Sequence, residues 1–177
     1  INGPVSKKNF LNKKYPGITE YLADKFNKKK FAMLIFNHNL SVCPITTHIP
    51  LKNVAKKINK KSIIEKTILI INFYKTYFKI RPRIAVTGLN PHCESFEKFN
   101  EDNVILNPSI KYLNKSGHKI FGPFPADTIF TQKNRRNYNV VIGMYHDQVL
   151  TPIKTIYEFD AINITLGLPF LRVSPDH

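Results

Sequence analysis

The sequence lacks several patterns by which enzymes and membrane proteins are often recognised. It has no GxGxxG fingerprint and no phosphate-binding P-loop, so a conventional Rossmann nucleotide site has no support. It has no GxSxG nucleophile elbow, and neither cysteine lies in a local signature of a catalytic thiol. No apolar run reaches the roughly 18 residues that a membrane-spanning helix needs.

Cysteine and arginine are both scarce. Two isolated cysteines, Cys43 and Cys93, do not form a disulfide framework in 177 residues and are typical of reduced thiols. We therefore expect a cytoplasmic protein. Only five of the 27 basic residues are Arg, although the formal net charge is +15.

Such a strong positive charge raises the hypothesis of a nucleic-acid-binding protein, because phosphate neutralisation drives that binding. The lysines, however, are scattered in short groups such as 28–30 and 60–61, without a basic helix or an aromatic-basic signature. This distribution favours solvated surface lysines. A non-catalytic basic remnant that binds nucleic acid remains the alternative to an enzyme.

The hydrophobic pattern indicates an α/β fold. Short apolar runs typical of strands occur at 31–36, 40–46, 83–87, 140–144 and 162–165. Helical spacing occurs at 19–30, 62–78 and 107–114, where Thr19 and Ser62 are candidate N-caps and Glu65 completes a capping box with Ser62. Strands that alternate with helices predict a largely parallel sheet, whose ligands gather at the carboxyl ends of its strands.

Three histidines follow predicted strands. His48 comes after TT, His92 after GLNP, and His146 between MY and DQ. Neutral imidazole is the commonest metal ligand, and three such groups leave coordination positions for substrate oxygens. Because the intervals are too long for a local metal motif, each His could equally be a loop residue or a hydrogen-bonded core residue.

Lys154, Asn163 and Arg172 form a second candidate group downstream. Arg forks onto phosphate or carboxylate oxygens, and Lys supplies a point charge. The combination suits a small phosphorylated substrate, although lysine and arginine are more often plain surface residues.

These motifs, taken in order, resemble the 4-hydroxythreonine-4-phosphate dehydrogenase family. The matching stretches are NGPVSK (2–7), TTHIPL (46–51), RIAVTGLNPH (83–92), GPFPADTIF (122–130), MYHDQ (144–148) and NITLGLPFLRVSPDH (163–177). The resemblance implies an α/β fold like that of isocitrate and isopropylmalate dehydrogenases, with a mostly parallel sheet core flanked by helices. We expect residues 1–177 to be the partial metal- and substrate-binding region of a longer two-domain dehydrogenase, truncated at both ends.

The resemblance also implies roles for individual residues. A divalent metal (Zn, Mg or Co) would be held by His48, His92 and His146. Asp127, Asp147 and Lys7 fall at motif positions of the family and are the candidate catalytic residues. The residues that would contact the substrate are Thr19, Lys154, Asn163 and Arg172. The family uses NAD or NADP and works as a homodimer whose active site is shared between subunits.

The implied reaction is the NAD(P)-dependent oxidation of 4-phosphooxy-L-threonine, followed by decarboxylation to 3-amino-2-oxopropyl phosphate, in vitamin B6 biosynthesis. Three places in the sequence depart from the family pattern. Ile18 replaces a His, Cys93 to Glu97 replace a glycine-rich run, and Val149 replaces a Gly. Since Ile18 cannot make a side-chain hydrogen bond, a related threonate or erythronate phosphate dehydrogenase remains an alternative.

Overall fold

One twisted sheet organises the chain, in a computed structural model that describes residues 15, 17–94 and 99–175. Its strands are β1 Ala32–Phe36, β2 Ser41–Pro44, β3 Arg83–Thr87, β4 Lys119–Phe124, β5 Val140–Gly143, β6 Ile162–Leu166 and β7 Arg172–Pro175. They lie in the order β4-β3-β5-β2-β1-β6-β7. Strands β4, β3, β5 and β2 are mutually parallel, whereas β1, β6 and β7 join through antiparallel pairings. The expected α/β fold is confirmed.

Helices cover both faces of the sheet. They are α1 Ile18–Lys25, α2 Val54–Lys57, α3 Lys60–Phe73, α4 Asn107–Lys115, α5 Ala126–Ile129, α6 Gln132–Arg135 and α7 His146–Tyr157. Short 3₁₀ turns occupy Leu51–Asn53 and Pro91–Cys93, and π-helical turns occupy Tyr74–Phe78 and Asp102–Leu106. Among the described residues, no helix combines the length and the apolar character needed to cross a bilayer.

Helix α3 begins earlier than its sequence pattern suggested. Asn59 is its N-cap, with an extended backbone and a side-chain oxygen that accepts a 2.9 Å hydrogen bond from the Ser62 backbone N–H. The prediction of Ser62 as the cap was therefore wrong. The Ser62 hydroxyl instead donates to the Asn59 carbonyl. The side chain of each residue therefore pairs with a backbone group of the other in the first turn.

The core has two layers, one on each face of the sheet. Alternate residues of a strand point to opposite faces, so Ile84 and Val86 of β3 pack in one layer and Ala85 packs in the other. Strand β5 divides in the same way, with Ile142 and Val141 on opposite sides. Because both faces are covered, the central strands are continuously apolar, which is the feature that made them visible in the sequence.

The buried phenol of Tyr74 should make the folded protein less stable at alkaline pH. Tyr74 is buried, and its oxygen lies 2.9 Å from Ser41 Oγ. Burial raises the pKa of Tyr74 from 10.0 to about 12, and the Ser41 hydrogen bond only partly opposes that rise. The unfolded chain releases this proton first. The folded state should therefore lose about 2–3 kcal/mol of stability as the pH rises from 10.0 to about 12.

Denaturant unfolding of the wild type and a Tyr74→Phe variant across this pH range measures the effect. The variant should be less stable at neutral pH but should lose less stability on the alkaline side. Tyr77→Phe is the matched control, because Tyr77 is exposed. An equal alkaline loss in the wild type and in Tyr74→Phe would contradict the assignment.

Candidate functional site

The three histidines follow three strands that are neighbours in the sheet. Strands β3, β5 and β2 are adjacent and parallel, and they precede His92, His146 and His48 respectively. Neighbouring strands are about 4.8 Å apart, so their carboxyl ends form one continuous edge. The sheet thus collects, at a single edge, residues that are distant in sequence.

Two of these imidazoles face each other. The ring centroids of His48 and His146 are 5.9 Å apart. Nδ1 of His48 lies 3.5 Å from Glu20 Oε1, and Nδ1 of His146 lies 2.7 Å from Asp147 Oδ1. A carboxylate at Nδ1 orients an imidazole and leaves its Nε2 as the ligand nitrogen. The donor chemistry of this pair therefore fits a divalent cation.

His92 occupies a different environment. It is exposed and has a left-handed backbone, with φ of 56°. Within residues 15, 17–94 and 99–175, no three His, Cys, Asp or Glu side chains lie close enough together to hold a metal ion. The structure therefore brings two of the expected ligands together, and the third stays a prediction.

Gln148 joins the strand ends from which His92 and His146 emerge. Its Nε2 donates to the Gly88 carbonyl at 2.8 Å, and its Oε1 accepts from the Met144 backbone N–H at 2.7 Å. The same Oε1 accepts from Thr87 Oγ1 at 2.8 Å. One side chain therefore fixes the end of β3 against the end of β5.

A guanidinium–hydroxyl cluster lies at the end of β6. Arg172 Nη1 is 3.0 Å from Thr165 Oγ1 and 3.5 Å from Thr19 Oγ1, because Arg172 pairs with Thr165 across the β6–β7 ladder. All three residues are buried. Burial lowers the pKa of Arg172, and the nearby Glu20 carboxylate opposes this effect. Within the described part of the chain, this guanidinium forms no ion pair within 4.0 Å.

Three buried polar atoms in the described residues have no hydrogen-bond partner. They are Glu20 Oε2, Asn163 Oδ1 and Arg172 Nε. Buried polar atoms are almost always hydrogen-bonded, so each orphan marks a place where a ligand or a water molecule fits. Two of the three belong to residues that the resemblance assigned to substrate binding.

Glu20 and Lys66 are site residues that the sequence did not single out. Burial raises the pKa of the Glu20 carboxyl, but His48, the residue's own backbone and Thr47 together bring the net pKa below its ordinary value. Lys66 lies behind it, and its buried ammonium donates to the Ile45 carbonyl at 2.8 Å. Burial lowers the pKa of Lys66, and the thiol of Cys43 and the carboxylate of Glu20 oppose that shift. The available signal for Glu20 was its place directly after Thr19, in the stretch where Ile18 departs from the family pattern.

The remaining predicted residues are spread along and beyond this edge. Lys154 lies on α7 and lines an open groove of about 520 Å³ together with His146 and Asp147. Asp127 is exposed on α5, and it lies near the Cys93 thiol. Lys7 is outside the described residues.

Comparisons with known proteins place the chain beside one family. The family model described as pyridoxal phosphate biosynthetic protein PdxA matches residues 1–177. A 4-hydroxythreonine-4-phosphate dehydrogenase from Sulfurihydrogenibium sp. (strain YO3AOP1) is 42% identical over 181 residues, covering 100% of this chain and 56% of the relative. A D-threonate 4-phosphate dehydrogenase from Pectobacterium atrosepticum is 37% identical over 164 residues, covering 92% and 50%.

A solved structure of a named relative has a similar three-dimensional fold. The 4-hydroxythreonine-4-phosphate dehydrogenase from Klebsiella pneumoniae superimposes with a TM-score of 0.85 at 36% sequence identity, covering 99% of this chain and 55% of that one. The chain therefore spans about half the length of the relatives that it matches.

Proposed function

We propose a function that proceeds from one premise: the chain belongs to the PdxA family of pyridoxal phosphate biosynthetic proteins. The function is the NAD- or NADP-dependent oxidation of 4-phosphooxy-L-threonine and its decarboxylation to 3-amino-2-oxopropyl phosphate. The supporting observation is the alignment of His48, His92 and His146 at the ends of three adjacent parallel strands. In this proposal, the chain is the metal- and substrate-binding part of a longer two-domain enzyme.

His48, His92 and His146 would hold Zn²⁺, Mg²⁺ or Co²⁺. A bound divalent cation would supply Lewis-acid polarisation of the substrate hydroxyl, and a bound nicotinamide would supply the hydride acceptor. The protein's own contribution at this point is orientation. Glu20 and Asp147 face Nδ1 of two of the rings and so leave the opposite nitrogens, Nε2, free to bind the cation.

Arg172, Lys154 and Asn163 would bind the substrate phosphate. A buried guanidinium without a carboxylate partner is suited to an anion, and the orphaned Nε of Arg172 is an available donor. Fixing the phosphate at the β6 end of the edge would set the reacting carbon near the imidazoles, which removes much of the entropic cost of alignment. Catalysis would take place in the cytoplasm, in a homodimer with active sites shared between subunits.

The competing substrate class is a four-carbon phosphorylated hydroxy acid. Two observations keep this substrate class as the alternative: the 37% identity to a D-threonate 4-phosphate dehydrogenase, and the presence of Ile18. Ile18 removes one hydrogen-bonding side chain from the first turn of α1, next to Thr19. The two substrates differ at one carbon, which carries an amine in one case and a hydroxyl in the other, so parallel binding measurements separate them.

Calorimetric titration of the chain with Co²⁺, and then with each substrate, tests the proposal. We expect a saturable cation site and cation-dependent binding of 4-phosphooxy-L-threonine that is tighter than that of D-threonate 4-phosphate. His92→Ala should weaken cation binding by more than the roughly 100-fold that loss of an outer partner costs. His38→Ala is the control, because His38 is exposed in the turn between β1 and β2. Salt-sensitive binding of an oligonucleotide without any cation site would instead support the nucleic-acid alternative.

A further inference from the structure

The turn that carries His92 has an unusual backbone. His92 and Cys93 are consecutive residues with left-handed conformations, at φ of 56° and 61°. Such conformations are costly for residues other than glycine and persist only where the surroundings hold them in place. The turn therefore needs an external support.

Asp102 supplies that support. It is fully buried, and its Oδ1 accepts a 2.7 Å hydrogen bond from the Leu89 backbone N–H. Its Oδ2 accepts from the Asn90 backbone N–H at 3.2 Å and from Asn90 Nδ2 at 2.9 Å. Within the part of the chain that the structure describes, no cation pairs with this carboxylate. Both of its oxygens therefore accept hydrogen bonds from donors of the turn.

The carboxylate also lies directly against the backbone at the end of β3. A Cβ added to Gly88 would lie 2.9 Å from Asp102 Oδ1 and 2.7 Å from Cys93 Sγ, so only glycine permits this approach. The carbonyl of Gly88 accepts from Gln148 on the opposite side. Asp102 and Gln148 thus fix the start of the turn from two directions.

We propose that Asp102 is a positioning residue that sets His92 in place for cation binding. This inference rests on the proposed function, since it assigns a purpose to the turn only if His92 is a ligand. A carboxylate suits the role because both of its oxygens accept, and three N–H donors converge on them. An amide in its place would turn one NH₂ group towards a donor.

The Asp102→Asn variant tests the inference, with Glu101→Gln as the matched control. Glu101 is the adjacent carboxylate and reaches the same Asn90 amide, but only through one 3.2 Å contact. Co²⁺ affinity is measured calorimetrically and corrected for the folded fraction. We expect Asp102→Asn to lower the affinity about 10- to 100-fold, and Glu101→Gln to leave it within about twofold.

Asn90→Ala provides a second route if Asp102→Asn does not fold. It removes the side-chain donor to Asp102 and leaves the carboxylate, so its loss of Co²⁺ affinity should exceed that of Glu101→Gln. Wild-type affinity in a folded Asp102→Asn variant, or in Asn90→Ala, would overturn the inference and leave the proposed function standing. Absence of Co²⁺ binding by the wild type would overturn both.

Discussion

The Arg172→Ala variant should bind 4-phosphooxy-L-threonine at least 30-fold, and up to several thousand-fold, more weakly than the wild type. This range corresponds to the about 2–5 kcal/mol that truncating one member of a buried, hydrogen-bonded charge pair costs. Arg172 is only 8% exposed, and its guanidinium is held by two hydroxyls rather than by a carboxylate. An anionic ligand would provide the missing charge partner.

Calorimetric titration in the presence of Co²⁺ measures this effect, and two variants refine it. Arg172→Lys keeps the positive charge but loses the planar fork, so it should recover part of the affinity. Arg81→Ala removes an exposed arginine before β3 and should change nothing. Without ligand, we expect Arg172→Ala to unfold at nearly the wild-type denaturant concentration, because the lost hydroxyl contacts are offset by removal of a buried cation. Binding within threefold of wild type would rule out Arg172 as the phosphate anchor.

The Gly167→Ala variant should lose about 2–5 kcal/mol of unfolding free energy. Gly167 ends β6 with φ of 91°, and an added Cβ would lie 2.3 Å from the Lys30 carbonyl oxygen and 3.1 Å from Phe31 Cα. A left-handed backbone costs about 1–2 kcal/mol, and a collision with fixed main-chain atoms costs about 1–3 kcal/mol. Urea unfolding measures the total.

Gly117→Ala separates the two contributions. Gly117 also has a positive φ, of 81°, but an added Cβ would meet nothing within 4 Å. This variant carries only the backbone cost and should lose about 1–2 kcal/mol. Equal losses in the two variants would show that the contact with residues 30 and 31 has no energetic consequence.

The sequence pattern was most informative where a strand is buried on both faces. Strands β1, β2, β3 and β5 fall inside the predicted apolar runs, because continuous burial leaves continuous hydrophobicity. Strand β4 was missed, since it is only partly buried and contains Gly122-Pro123. Helix α7 was also missed, because Pro152 lies in its interior and interrupts the helical pattern.

The candidate site was predictable in its residue types but not in its contacts. The resemblance named Thr19 and Arg172, but Thr19 was also predicted as an N-cap. It lies instead inside α1, and its hydroxyl faces Thr165, which is 146 residues away in sequence. Contacts of that range depend on strand order. The same reason hid Glu20, whose partner His48 comes from a separate strand end.

Tertiary packing also accounts for what the pattern could not show about Asp102. A single aspartate before an apolar stretch is ordinary in a sequence, and nothing marks it as buried. Its role arises because the Asp102–Leu106 turn folds back on the residues that follow β3, so that the carboxylate meets two successive backbone N–H groups there. Local sequence therefore supplied the ligand candidates, and tertiary packing supplied their supports.

Helix α1 contributes residues to both parts of the candidate site, the guanidinium cluster and the imidazole pair. Thr19 faces the guanidinium and Glu20 faces the imidazole, yet these residues are consecutive in a helix of eight residues. A displacement of this helix by one ligand alters the surroundings of the other. If both positions bind ligands, thermodynamic reciprocity requires that any change one ligand causes in the affinity for the other is returned by the same factor.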